Sequence, residues 1–139
     1  LTQGSCDACT RRCTLTPFQT SFLHCRIRVR DIDASVRFYT EVFGFSKVRE
    51  STSPAGNKLA FLELPGNNTQ IELCYQPDAP DFIVPEDIFH FAFTTPDLEA
   101  FRQRWEPTGI EFWPDEGPVN NLFYFISDPD GYEIEVLKA

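Results

Sequence analysis

Two residue types in this chain have the chemistry to hold a metal ion or act as a general base, and each comes as a matched pair. The sequence contains two histidines, His24 in F-L-H-C-R-I-R-V-R-D and His90 in F-H-F-A-F-T-T-P-D. Each precedes an aspartate by seven residues (31 − 24 and 97 − 90). Glu72 in Q-I-E-L-C-Y and Glu135 in Y-E-I-E-V-L form the second pair, each on an alternating apolar run. Two imidazoles and two carboxylates suit a divalent cation. Imidazole nitrogen favours Zn, Ni, Co or Fe, and carboxylate oxygen extends the range toward harder ions. The cofactor expected is a divalent metal, with Zn and Ni among the ions these donors accommodate.

These residues stand at equivalent places in a chain that repeats itself. Phe22 to Val29 reads as a strand. Asp33-Ala-Ser opens an amphipathic helix with apolar Val36, Tyr39, Val42 and Phe43, stopped by Gly44. Strand-like runs follow near 45–50, 57–64 and 69–76. The pattern then restarts: a strand from Asp87 to Thr94, and a helix opened by Thr95-Pro-Asp and carrying Leu98, Phe101 and Trp105. Strands at 110–113, 121–127 and 132–138 complete it. The ends of the halves, residues 57–73 and 120–136, match without a gap. That match pairs Leu59 with Leu122, Ile71 with Ile134, and Glu72 with Glu135. The reading is a β-α-β-β-β unit used twice, over 22–76 and 86–139, joined by the proline-rich Q-P-D-A-P-D-F-I-V-P. The fold class expected is α+β, two βαβββ modules forming a curled mixed sheet around a metal cavity.

Alternation along the strands places the polar residues together. His24, Arg26 and Arg28 share one face, opposite Cys25, Ile27 and Val29. Gln70, Glu72 and Cys74 oppose Ile71, Leu73 and Tyr75. His90 and Ala92 oppose Phe89, Phe91 and Phe93. Glu133 and Glu135 face the same way, but Glu133 matches the uncharged Gln70, so it is expected at the rim and Glu135 at the ion. In D-P-D-G, Asp128 accepts from the turn backbone, Pro129 presets φ and Gly131 tolerates a positive φ, giving a structural turn into the last strand.

Composition narrows the partners. With 139 residues and 42% hydrophobic content the chain suffices for one domain with a real core. A net charge of −9 argues against nucleic acid and anionic membrane surfaces. No apolar run approaches the ~20 residues a membrane span needs, and the N-terminus lacks a secretory apolar core. A cytoplasmic protein with a small-molecule substrate is expected. Five cysteines, an odd number, argue against a closed disulfide framework. Cys6, Cys9 and Cys13 cluster in residues 1–21, read as a flexible leader outside the fold.

The sequence resembles the vicinal oxygen chelate superfamily, and within it glyoxalase I (lactoylglutathione lyase). The likeness lies in L-H-C-R-I-R-V-R-D, F-Y-T-E-V-F-G-F, I-E-L-C-Y, F-H-F-A-F-T-T-P-D, G-P-V and D-P-D-G-Y-E-I-E-V, and covers residues 22–139. The resemblance implies His24, Glu72, His90 and Glu135 as metal ligands. Extradiol dioxygenases and fosfomycin-resistance enzymes of the superfamily use His where this chain has Glu72, and bleomycin-binding members generally lack the set. The implied reaction isomerises the hemithioacetal of a 2-oxoaldehyde such as methylglyoxal and a thiol such as glutathione, through an enediolate. Glu135 would be the base and Glu72 would assist from the other side. Arg28 and Gln76 match positions that contact glutathione, whereas Asn120 and Asn121 stand where glutathione-using members often carry Lys or Arg. In small glyoxalases the cup is often built across a homodimer, two ligands from each chain. Two other readings stay open: an epimerase or lyase of the superfamily on a different vicinal-oxygen substrate, and a non-catalytic ligand-binding or resistance protein.

Overall fold

The computed structural model describes residues 19–139. The first module comprises strand β1 (His24–Val29), helix α1 (Ile32–Phe43), and strands β2 (Ser46–Thr52), β3 (Lys58–Glu63) and β4 (Gln70–Tyr75). The second repeats it with β5 (His90–Thr95), α2 (Leu98–Trp105), β6 (Phe112–Trp113), β7 (Phe123–Ser127) and β8 (Glu133–Lys138). Each module folds into its own four-stranded sheet, ordered β1-β4-β3-β2 and β5-β8-β7-β6. The first strand of each runs parallel to the last, and the remaining pairs are antiparallel. The α+β class and the doubled module are therefore as expected, with the curled sheet present as two sheets that do not close on one another.

The helix starts differ from the sequence reading. The cap of α1 is Asp31, whose carboxylate accepts from the backbone N–H of Asp33 and Ala34, both at 3.0 Å. Asp33, read as the opening residue, lies in the first turn, where its charge favours the helix dipole. The cap of α2 is Asp97, accepting from Ala100 N–H. Thr95 and Pro96, read as opening the helix, thus both precede the cap. A side-chain acceptor two or three residues ahead of free N–H groups decides both starts. Gly44 ends α1 as expected: at φ 78° its N–H reaches the Thr40 carbonyl, and Phe45 N–H reaches that of Tyr39.

The ungapped match between the halves also needs one correction. Phe61 pairs across the ladder with Glu72, and Phe125 with Glu135. Residues 64–69 join β3 to β4, whereas 128–132, one residue fewer, join β7 to β8. Leu59 is therefore equivalent to Phe123, not Leu122, while the β4–β8 match stands.

One hydrophobic core serves both modules. It contains Ile27, Val29, Leu62, Leu73, Tyr124, Ile126, Ile134 and Val136, all buried. Helix α1 covers its own sheet and also meets the other. The Tyr39 ring lies edge-on to Phe91 at 6.2 Å, and Phe43 lies 4.4 Å from Phe93. Burying side chains of this size at one seam removes apolar surface from water on both modules at once. The D-P-D-G turn locks the seam. Asp128 accepts from the N–H groups of Asp130 and Tyr132 within its own turn, and from the Tyr39 hydroxyl of α1 at 2.9 Å. Asp130 accepts from Arg30 N–H at 2.9 Å and from the Ser35 hydroxyl. Burial pushes the Asp128 carboxyl up to about 6 despite these donors. Burial also pushes the Tyr39 hydroxyl upward, assisted by the Asp128 charge.

Candidate functional site

The core takes one face of each sheet, and the opposite face carries the polar residues picked out by their spacing. In the first module His24 opens β1 and Glu72 is the third residue of β4. The His24 Nε2 atom lies 2.9 Å from one Glu72 oxygen, Oε2. The other oxygen, Oε1, accepts from both Nε and Nη2 of Arg26, at 2.9 and 2.7 Å. The Glu72 side chain is only 2% exposed, and a buried carboxylate is tolerable because these partners surround it. Phe61 floors the pair, edge-on to the His24 ring at 5.9 Å, with the Arg49 guanidinium 3.7 Å above its own ring.

The second module builds the same arrangement. His90 opens β5, Glu135 is the third residue of β8, and His90 Nε2 lies 3.6 Å from Glu135 Oε2. Phe125 sits edge-on to His90 at 6.0 Å and stacks on Trp113. Glu133 accepts from the backbone N–H of Asp87 instead.

Nitrogen–oxygen separations of 2.9 and 3.6 Å suit two donors biting one ion. With ligand bonds of about 2.1 Å, neighbouring donors lie roughly 3.0 Å apart in an octahedral site and about 3.4 Å in a tetrahedral one. The donor types and spacing of each pair thus fit half of a divalent-cation site. The chain brings the four residues together as two pairs, not as one cluster. Among the described residues no three His, Cys, Asp or Glu side chains converge, because each pair projects from the face turned away from the shared core.

The substrate-side expectations fare differently. Arg28 lies on the same face of β1 as His24 and Arg26, but its guanidinium donates to the Pro80 carbonyl and stands 4.7 Å from the Phe82 ring centre. Arg30 also reaches this connecting segment, through the Asp81 carboxylate and the Phe82 carbonyl. Gln76 follows β4, half-buried, and its carbonyl accepts from Ala79 N–H. Asn120 and Asn121 adopt positive φ of 50° and 60° in the loop before β7. The contact of Arg26 with Glu72, and the paired floors Phe61 and Phe125, were missed from sequence. The floors were hidden by the one-residue slip between the halves. Cys25 and Cys74 are free thiols, and the expectations for Cys6, Cys9 and Cys13 lie outside the described residues.

Fold and site together define a paired βαβββ protein with a His–Glu couple in each half. The chain belongs to the Glyoxalase/Bleomycin resistance protein/Dioxygenase superfamily, whose family model matches residues 21–136. A lactoylglutathione lyase of Salmonella typhimurium is 32% identical over 124 residues, covering 84% of this chain and 91% of that protein. A lactoylglutathione lyase of Arabidopsis thaliana is also 32% identical, but this chain spans only 44% of its length. Among solved structures, the trypanothione-dependent glyoxalase I of Leishmania major superposes with a TM-score of 0.75 at 29% identity, covering 86% of this chain and 87% of that one. An antibiotic-binding protein of Streptomyces shares the fold at 21% identity and a TM-score of 0.67. Among the described residues no helix is long and apolar enough to cross a membrane.

Proposed function

We propose that this chain is a glyoxalase I-like isomerase acting on the hemithioacetal of a 2-oxoaldehyde and a thiol. The observation that carries the reading is the matched His–Glu pair in each half, each with the spacing of two donors to one ion. His24 and Glu72 of one copy, with His90 and Glu135 of a second, would hold a divalent cation such as Zn or Ni at a homodimer interface. Exposed apolar residues beside the ligands support a covering partner: Phe22 and Leu23 precede His24, and Ile88 lies two residues before His90.

A bound cation would supply Lewis acidity toward the two vicinal oxygens of the substrate. The chain supplies the rest. Glu135, which faces His90 at 3.6 Å and is bonded by no arginine or lysine among the described residues, is placed to take the proton from one carbon and return it to its neighbour. Glu72, buried and held by Arg26 and His24, keeps its orientation. The aromatic floors Phe61 and Phe125 shield the carboxylates from water and strengthen their electrostatic effect. The thiol is left open by the relatives themselves, since one is a lactoylglutathione lyase and another is trypanothione-dependent.

The engagement of Arg28 by Pro80 and Phe82 favours, as second reading, an epimerase or lyase of the superfamily on a different vicinal-oxygen substrate. Metal analysis followed by a thioester-formation assay with methylglyoxal and glutathione separates the two. Metal with turnover supports the first reading, and metal without turnover supports the second. A chain that neither binds Zn or Ni nor turns over refutes both.

A further inference from the structure

Arg26 and its counterpart are the point where the two halves part. The register that sets Arg26 opposite Glu72 sets Ala92 opposite Glu135. Arg26 gives both Nε and Nη2 to Glu72 Oε1, leaving Oε2 facing His24. Glu135 has no such partner: among the described residues no donor bonds its carboxylate, and its side chain is 19% exposed against 2% for Glu72. Ala92 is itself exposed, and among the described residues no side chain bonds Glu135 from the place that Arg26 takes in the other half.

We infer that Arg26 is a positioning residue that makes the two carboxylates of the metal centre unequal, an inference that rests on the metal-centre reading above. It occupies one oxygen of Glu72 through a forked, charge-assisted contact, so Glu72 offers an ion only its second oxygen and cannot swing away. Its positive charge, sharing a carboxylate with the ion, also weakens the hold of the site on that ion. Glu135 keeps both oxygens and its rotational freedom. The division of labour between a fixed ligand and a mobile base is thus written in a residue outside the ligand set.

The test uses Co2+ as a spectroscopic probe with the full chain, comparing wild type, Arg26→Met and Arg26→Lys by calorimetry and visible absorption. Arg26→Met should bind Co2+ roughly tenfold more tightly, because a nearby cation has gone. Its visible bands should change as Glu72 becomes free to offer both oxygens. Arg26→Lys keeps the charge without the fork, and should restore most of the wild-type affinity but not its spectrum. Unchanged or weaker binding by Arg26→Met, with an unchanged spectrum, would overturn the inference. A metal-free arm measures hydrogen exchange at the Arg26 Nε–H by NMR, in wild type and in Glu72→Gln. Protection in wild type, lost in the variant, supports the clamp. A wild type that binds no Co2+ yet keeps this protection refutes the metal-centre reading and not the clamp. An unprotected Nε–H refutes the clamp whatever the metal does.

Discussion

The two modules present the same His–Glu pair over the same phenylalanine floor, and differ in what stands beside it and in what holds each module in place. In the first, Glu72 is enclosed by His24 and Arg26; in the second, Glu135 has His90 at longer range and an alanine where the arginine would be. The turns differ as well. The turn of the second module, with Asp128 and Asp130, grips Tyr39 and Ser35 of α1 in the first, whereas the backbone of the corresponding turn closes locally, Asn67 N–H to the Leu64 carbonyl. A repeat can thus preserve a His–Glu pair while unrepeated neighbours give each carboxylate different surroundings.

The largest effect is expected where the comparison is most one-sided. Glu135→Gln should lower turnover by roughly a thousandfold, the range for removing a positioned base. Glu133→Gln, tied to Asp87, should stay within a few-fold in the same steady-state assay. Equal losses would place the base elsewhere. Transplanting the difference is the next test. Ala92→Arg, which offers Glu135 the clamp that Glu72 has, should lower turnover by about thirtyfold, the equivalent of a charged hydrogen bond of about 2 kcal/mol to be broken. Full activity in a folded Ala92→Arg protein would break the proposed asymmetry.

The seam between the modules should respond through stability. Tyr39→Phe leaves the buried Asp128 short of a donor and should cost about 1–3 kcal/mol in urea unfolding. With its folded pKa near 6, above the ordinary 3.8, Asp128 binds a proton more readily in the folded than in the unfolded chain. Its contribution is complete below about pH 4 and declines as pH rises toward about 6. Wild type should therefore lose stability relative to Asp128→Asn across that window, and a constant difference would show that the carboxyl does not titrate there. The smallest effects belong to the caps. Asp31→Ala and Asp97→Ala should each cost about 1 kcal/mol. The first should cost more, since Asp31 holds two N–H groups and Asp97 one.

Much of this was legible in the chain because local periodicity and a duplicated pattern survive without tertiary context. Strand alternation placed His24, Glu72, His90 and Glu135 on polar faces, and the D-P-D-G turn was readable from its φ requirements. The cap positions were misjudged because Asp31 and Asp33, like Thr95 and Asp97, are similar enough in type that only the direction of a side chain separates them. Gln70 and Glu63, also polar and in register beside the pair, bond to each other instead, which alternation alone does not show.

By itself the sequence determined the doubled α+β module, its donor residues and their shared strand faces, since these follow from spacing of two and from self-similarity. The tertiary structure decided the rest. The parallel register of β1 on β4, linking residues 46 apart, put Arg26 on Glu72. The one-residue difference between two turns matched Phe61 with Phe125. The packing of α1 against both sheets turned the two His–Glu pairs away from the shared core, because the apolar faces of both modules had only one core in which to be buried.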